Sequence, residues 1–312
     1  MIKKKLAIYF SDAEPMGYPF DKIYYFEIYQ EIIKEVESKG IEVFIVRGNS
    51  YLKNGIFSHG WKFVDGNLIE EREIKVDLIF NRDDKNTIPR IDDCPIINHP
   101  DLDELCIDKY KTSQLFPEFS PETSYVHSFG ECLEVVSKSN LGKEEKIILK
   151  KNFETEGRGI SVIKSNELKS DLYSDWSDIL VQEFLDASVG IDGLVDGLHD
   201  FRIAVVNDVE KNAYIRVPAP GKLLANVALG ASGFSVPIEK IPDDLEEIMV
   251  VIRGRLKKYF PNVYSVDFLN TKDGFKLIEL NSRPSVQHPD WVKTYKVFND
   301  AVVKMLIEAI NN

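Results

Sequence analysis

Cysteine is scarce: Cys94, Cys106 and Cys132 are the only three in 312 residues. Three scattered thiols build neither a disulfide framework nor a cysteine metal site, so a reduced, cytoplasmic protein is expected. Histidine is nearly as sparse, and His59, His99, His127 and His288 have no partners at metal-ligand spacing. No apolar run approaches the roughly 20 residues of a membrane span, and no membrane partner is expected. The start, MIKKKLAIYFSD, is apolar only over Leu6–Phe10 and reads as a first strand rather than a signal peptide. Positive charge is in deficit. The 39 Lys and Arg against 51 Asp and Glu leave −12, which argues against nucleic acid as the main partner. Any phosphate site must then be a local cluster of basic residues. Internal repeats, a Walker A loop and a Rossmann fingerprint are also missing from the sequence.

What is present is a patterned hairpin, Val263–Ser285. Its two halves alternate, and Lys272-Asp273-Gly274 between them has the form of a type I turn closed by a left-handed glycine. A three-residue loop there sets Thr271 opposite Phe275, Leu269 opposite Leu277 and Asp267 opposite Glu279. Facing carboxylates destabilise a sheet unless a cation lies between them. Period-two alternation puts Asn281 on the face of Glu279. Asp267, Glu279 and Asn281 are thus candidate oxygen ligands for Mg²⁺, with an exposed acidic face as the alternative.

Upstream, Lys5–Phe10, a helical pattern over Ile23–Lys39 ending at Gly40, Ile41–Val46 and Val76–Phe80 predict an open α/β domain over residues 1–100. Asp101 and Glu104 suggest a capping box for a helix carrying Lys109. Strands at Lys146–Lys151, Ile160–Ile163 and Ile179–Phe184 mark a central domain, 101–185. The rest, 186–312, predicts an antiparallel sheet with helices at Ile241–Tyr259 and Lys296–Ile310.

The chemistry-bearing features lie in these last two segments. Lys150 precedes the glycine-containing loop Gly157-Arg158-Gly159, which a strand rather than a helix follows; on its own it reads as a plain turn, with backbone N–H groups laid over phosphates as the alternative. Lys109 is a second candidate phosphate contact, and Lys151 competes with Lys150 for the inward position. Gln182-Glu183-Phe184 reads on its own as the end of a strand, with a hinge offering backbone groups to an adenine edge as the alternative. Asp200 and Arg202 share a strand face, with Arg216 on the next strand; the pattern fits either phosphoryl binding or cross-strand ion pairs. Asn226 precedes a second small-residue loop, and Arg283 follows the candidate metal ligands.

The order of these features resembles the ATP-grasp superfamily, and in particular bacterial glutathione synthetase and the ribosomal-protein glutamate ligases. The resemblance rests on Lys109, Lys150, Gly157-Arg-Gly, Gln182-Glu-Phe, Asp200-x-Arg, Arg216, Asn226 and Asp267…Glu279-x-Asn281. It implies an ATP-grasp fold: an N-terminal α/β domain, a small lid and a C-terminal antiparallel-sheet domain. It further implies a carboxylate–amine ligase that forms an amide through an acyl phosphate. The substrates would be an amino acid or short peptide, ATP the cofactor, and the assembly a monomer or homo-oligomer. Lys109, Lys150 and the Gly157–Gly159 loop would meet ATP phosphates. Glu183 and Phe184 would meet adenine, with Asp200 and Asn226 at the nucleotide. Asp267, Glu279 and Asn281 would hold Mg²⁺, or Mn²⁺ in its place, and Arg202, Arg216 and Arg283 the carboxylate and its phosphorylated form. The chain departs from the family where Lys150 is followed by Lys151-Asn152 rather than proline, and in the Ala187–His199 segment before Asp200. A small-molecule kinase and a non-catalytic nucleotide binder are the alternatives on the same ATP site.

Overall fold

A computed structural model describes residues 3–83, 94–138, 146–154, 159–225, 230–288 and 295–312. Three sheets succeed one another along the chain. The first contains β1 (Lys5–Phe10), β2 (Glu42–Arg47), β3 (Tyr51–Lys53), β4 (Ile56–Val64), β5 (Asn67–Lys75), β6 (Leu78–Asn81) and β7 (Ile96–Ile97), with α1 (Ile23–Glu37) between β1 and β2. The spatial order is β3-β4-β2-β1-β6-β7, and β5 pairs with β4. β1 lies parallel to both β2 and β6. Both of its faces are covered, which is why it reads as an unbroken apolar run. Leu6, Ile8 and Phe10 pack into one core with α1, while Ala7 and Tyr9 pack into another with Phe44, Val46 and Phe57. The β4–β5 hairpin extends this parallel core antiparallel. Asp65 and Gly66 (φ 50° and 81°) turn between Val64 and Asn67, so both central residues are left-handed, as a type I′ hairpin requires.

Two short helices follow, α2 (Pro100–Ile107) and α3 (Lys109–Leu115). The expected capping box does not form. His99 caps α2 by accepting from the Asp101 N–H at 3.2 Å, and Asp108 caps α3 by accepting from the Lys111 N–H at 3.0 Å. Lys109 therefore opens a helix of its own. Leu102, Leu105 and Cys106 of α2, with Phe116, enter the core of the third sheet.

The second sheet holds β8 (Thr123–Val126), β9 (Lys146–Lys151), β10 (Ile160–Lys164) and β11 (Ile179–Glu183) in the order β10-β9-β11-β8, backed by α4 (Phe129–Lys138). Every pairing in it is antiparallel. The third comprises β12 (Asp200–Val206), β13 (Val209–Val217), β14 (Ser232–Val236), β15 (Val263–Thr271) and β16 (Gly274–Asn281), ordered β14-β13-β12-β15-β16. α5 (Asp243–Leu256) covers one face of it through Leu245, Met249, Ile252 and Leu256. α6 (Tyr295–Asn311) lies between the first and third sheets. Its Phe298, Val302, Val303, Met305, Leu306 and Ile310 share one core with α1, β1 and Ala204, Val206 and Val263. At about 1.5–3 kcal/mol per buried large apolar side chain, this helix contributes much of what fastens the two sheets together. No helix among the described residues is long and apolar enough to cross a membrane.

Candidate active site

The β15–β16 hairpin brings Asp267 opposite Glu279, but by a different route from the three-residue loop expected. Thr271 pairs with Gly274, Asn270 with Phe275 and Phe268 with Leu277, so the strands leave the turn one residue out of the expected register. Gly274 sits at φ 89°, where a side chain would be strained. The register then shifts between Phe268 and Asp267, leaving Ile278 without an opposite residue. This bulge restores the carboxylate pair; a regular ladder would have set Asp267 against Ile278.

The row continues across the sheet. Tyr214 pairs with Arg202, Arg202 with Asp267, and Asp267 with Glu279; two residues along, Asp200 pairs with Arg216. Alternation puts all of these on one face. Arg202 donates from Nε to Asp267 Oδ1 at 2.5 Å and from Nη2 to Oδ2. Arg216 donates from Nε to Asp200 Oδ1 at 2.7 Å and from Nη2 to Asp200 Oδ2, and it reaches Asp267 Oδ2 at 2.8 Å. The facing carboxylates are thus relieved by arginine on the Asp267 side. Burial alone would raise the Asp267 pKa, but Arg202 and Arg216 outweigh it and hold the carboxyl below its usual range. Asp200 is pushed up to about 7, first by burial and then by the Asp267 charge, with Arg216 opposing.

Glu279 turns toward the lysines. Its Oε1 lies 3.8 Å from Lys109 Nζ, and its side chain keeps 34% exposure. Lys109 also donates to the carbonyls of Asn152 (3.2 Å) and Glu154 (2.5 Å). Lys150 is 8% exposed, whereas Lys151 is half-buried and lies against Gly159. Lys150 is therefore the inward lysine, and among the described residues no carboxylate is within ion-pair distance of it. Burial presses its pKa down to about 8; Glu279 opposes this and the nearby Lys109 charge adds to it. Lys109 is lowered in the same way by burial, against Glu279 and Glu154.

The remaining candidates divide. Glu183 ends β11 and accepts from the Glu122 N–H at 3.0 Å, and the Phe184 ring lies 4.9 Å from Lys146 Nζ. Gly159 is left-handed (φ 67°) and its carbonyl accepts from Lys151 N–H and the Tyr173 hydroxyl. Gly157, Arg158 and Asn226 lie outside the described residues. Asn281 Oδ1 accepts from the Arg283 N–H at 2.8 Å. Arg283 is 11% exposed and pairs with Asp103 at 2.7 Å, so its guanidinium is already engaged inside the protein. Asp103, 1% exposed and also reached by Asn81, is a partner that sequence reasoning missed. An acid between Leu102 and Leu105 on a short helix was its only signal. Arg82 donates to the Arg283 and Pro284 carbonyls at 3.3 and 2.8 Å, tying the end of β6 to the loop after β16.

As a metal centre, the donor set is Asp267, Glu279 and the Asn281 amide. Among the described residues no three His, Cys, Asp or Glu side chains converge on one point. Two carboxylates and an amide are hard oxygen donors, which fit Mg²⁺ completed by water and phosphate rather than a full protein cage. A cation at Asp267 would replace guanidinium contacts. A hollow of about 610 Å³ lined by Leu78, Ile97, Phe260 and Met305 lies away from this cluster, so charge rather than volume marks the site.

A family model described as a RimK-like ATP-grasp domain matches residues 108–307. The coenzyme gamma-F420-2:alpha-L-glutamate ligase of Methanocaldococcus jannaschii is 26% identical over 204 residues, 63% of this chain and 65% of that protein. The tetrahydromethanopterin:alpha-L-glutamate ligase of the same organism is 27% identical over 229 residues, 69% of this chain and 70% of that one. The chain thus spans about two thirds of the length of these relatives. Among solved structures, D-alanyl-alanine synthetase A from Vibrio cholerae superposes with a TM-score of 0.68 over 100% of both chains at 10% identity, a likeness of fold.

Proposed function

The chain belongs to the RimK-like ATP-grasp domain family, and from that premise we propose that it is an ATP-dependent carboxylate–amine ligase. The observation that carries the reading is the Lys109–Glu279 contact, with the buried Lys150 near enough to feel both charges, beside the Asp267–Arg202–Arg216 cluster. A carboxylate does not acylate an amine at neutral pH, because oxide is too poor a leaving group. Transfer of the ATP γ-phosphoryl to the carboxylate gives an acyl phosphate and ADP. Attack by the amine then forms the C–N bond, breaks the C–O bond and releases phosphate, and the amine loses a proton.

The protein's task in both steps is positioning and charge neutralisation. Lys109 and Lys150 bind the phosphates, with Gly157, Arg158 and Gly159 as further candidate phosphate contacts. Glu183 and Phe184 hold the adenine at the end of β11, and Asp200 and Asn226 complete the nucleotide contacts. Asp267, Glu279 and Asn281 would hold Mg²⁺, with Mn²⁺ as a substitute; when bound, the ion screens charge on the β- and γ-phosphates. Arg202 and Arg216 pass from their carboxylate partners to the substrate carboxylate and its phosphorylated form. Arg283, tied to Asp103, lines the substrate side.

An amino acid or short peptide fits a site with three arginines, and the names of the two relatives put L-glutamate first in a substrate panel. The test is ADP release with ATP and Mg²⁺ against that panel, with product mass showing water loss relative to the summed substrates. Absence of substrate-dependent ADP across the panel, or a product carrying only added phosphate, would overturn the ligase assignment.

A further inference from the structure

We infer that Asn152 is a positioning residue that sets Lys109 against Lys150. It sits two residues beyond Lys150, just past the end of β9, and is fully buried. All of its polar groups are engaged, three of them by the start of α3, more than 40 residues away in sequence. Its Nδ2 donates to Asp108 Oδ1 at 2.9 Å, its Oδ1 accepts from the Tyr110 N–H at 2.9 Å, and its carbonyl accepts from Lys109 Nζ at 3.2 Å. Its own N–H donates to the Asp178 carbonyl at 2.9 Å, which fixes it to the start of β11. The residues on both sides of Lys109 therefore grip one amide, and that amide is covalently two residues from Lys150.

The chemistry of the position is specific. A side chain there must donate once and accept once along one planar fork, and it must add no charge beside Asp108. Asparagine does this. Aspartate keeps the bond from Tyr110 but loses the donor and faces the Asp108 carboxylate. Alanine leaves the Tyr110 N–H without its bond and Asp108 Oδ1 with Lys111 N–H alone. Two buried ammonium groups repel, so their separation does not set itself; it is held by the backbone segments that carry them, and Asn152 is where those segments are joined. The second sheet carries Lys150 and α3 packs beside β16, so the same junction couples the sheet to the Glu279 side of the site.

The inference rests on the ATP-phosphate reading of the two lysines, and removing the amide without adding charge tests it. In Asn152→Ala the contacts of the side chain with Tyr110 N–H and Asp108 are lost, while Asp108 Oδ1 still accepts from Lys111 N–H and caps α3. ATP affinity is measured by calorimetry for the wild type and N152A, at a temperature where circular dichroism shows each to be folded. N152A is expected to weaken ATP by about tenfold, the scale of a lost buried hydrogen bond to a charged group. A merely structural role would lower the melting midpoint of N152A and leave the affinity of the folded protein unchanged, and that result overturns the inference. If N152A does not fold, Asn152→Ser, which keeps a polar group in the same place, is judged against the wild type by the same criterion. A wild type that binds no ATP removes the reading of the lysines and this inference with it, whereas wild-type binding unchanged in the variant removes the inference alone.

Discussion

On the third sheet, Arg202 and Arg216 are matched by Asp267 and Asp200 at hydrogen-bonding distance, whereas Lys109 stands 3.8 Å from the Glu279 carboxylate, with the Glu154 charge also near it, and Lys150 has no carboxylate within ion-pair distance among the described residues. The arginine cluster is a closed set: planar forks on carboxylates, nearly buried, with its charges cancelled in place. The lysine pair is an open set, two desolvated cations with less negative charge than they need. A closed set supplies rigidity and exchanges partners only when a better ligand arrives. An open set gains from any polyanion that enters, and a triphosphate supplies what it lacks. The same site thus holds a part built to stay and a part built to receive.

Breaking the closed set has the largest expected effect. Asp267→Asn leaves two mostly buried guanidiniums short of an anion. It should lower stability by about 3–5 kcal/mol in denaturant melts and reduce substrate-dependent ADP release by about 10²–10³-fold. Breaking the open set separates affinity from stability. Lys150→Met removes a buried charge, so the melting midpoint should stay or rise, while calorimetry should show ATP weakened about 10–100-fold, the loss of a charge-assisted contact.

The third expectation concerns pH. The phosphate-binding form of Lys150 is the protonated one, and in the free protein that proton leaves as pH rises through about 8. ATP affinity should fall by up to about tenfold per pH unit above that point, with proton uptake on binding. Lys150→Arg should abolish the decline, since a guanidinium keeps its charge there. For stability the sign is opposite. A lysine pKa depressed by folding costs stability below about pH 8, and the cost fades as pH rises toward the ordinary lysine value. The smallest effect belongs to the neighbour: Lys151→Ala should leave ATP affinity within about threefold, because that side chain lies on Gly159 and faces away from the pair.

Much of the fold was legible. The buried run of β1, the spacing of Ile28, Ile32 and Val36 in α1, and the inward residues Phe298, Val302, Met305 and Leu306 of α6 follow from period and apolarity. The β4–β5 hairpin was overlooked although Asp65-Gly66 announces a type I′ turn; its strands are charged and half-exposed, so alternation was weak. The split between α2 and α3 was missed because Asp101 and Glu104 imitate a cap, while His99 and Asp108 form the caps.

By itself the sequence determined the local things: which stretches alternate and that the chain turns near Gly274. Those follow from neighbours a few residues apart, whereas the Asp267–Glu279 pair arose from a bulge at Ile278 and not from the loop expected. Only the tertiary structure decided how the charges are shared. Asp267 meets Arg202 and Arg216 from 65 and 51 residues away, and Glu279 meets Lys109. Lys150 rather than Lys151 turns inward, and Asn152 joins two segments that no local pattern connects. A charge's partner and its pKa depend on burial and on what lies across the fold, and both are set when the sheets and helices pack.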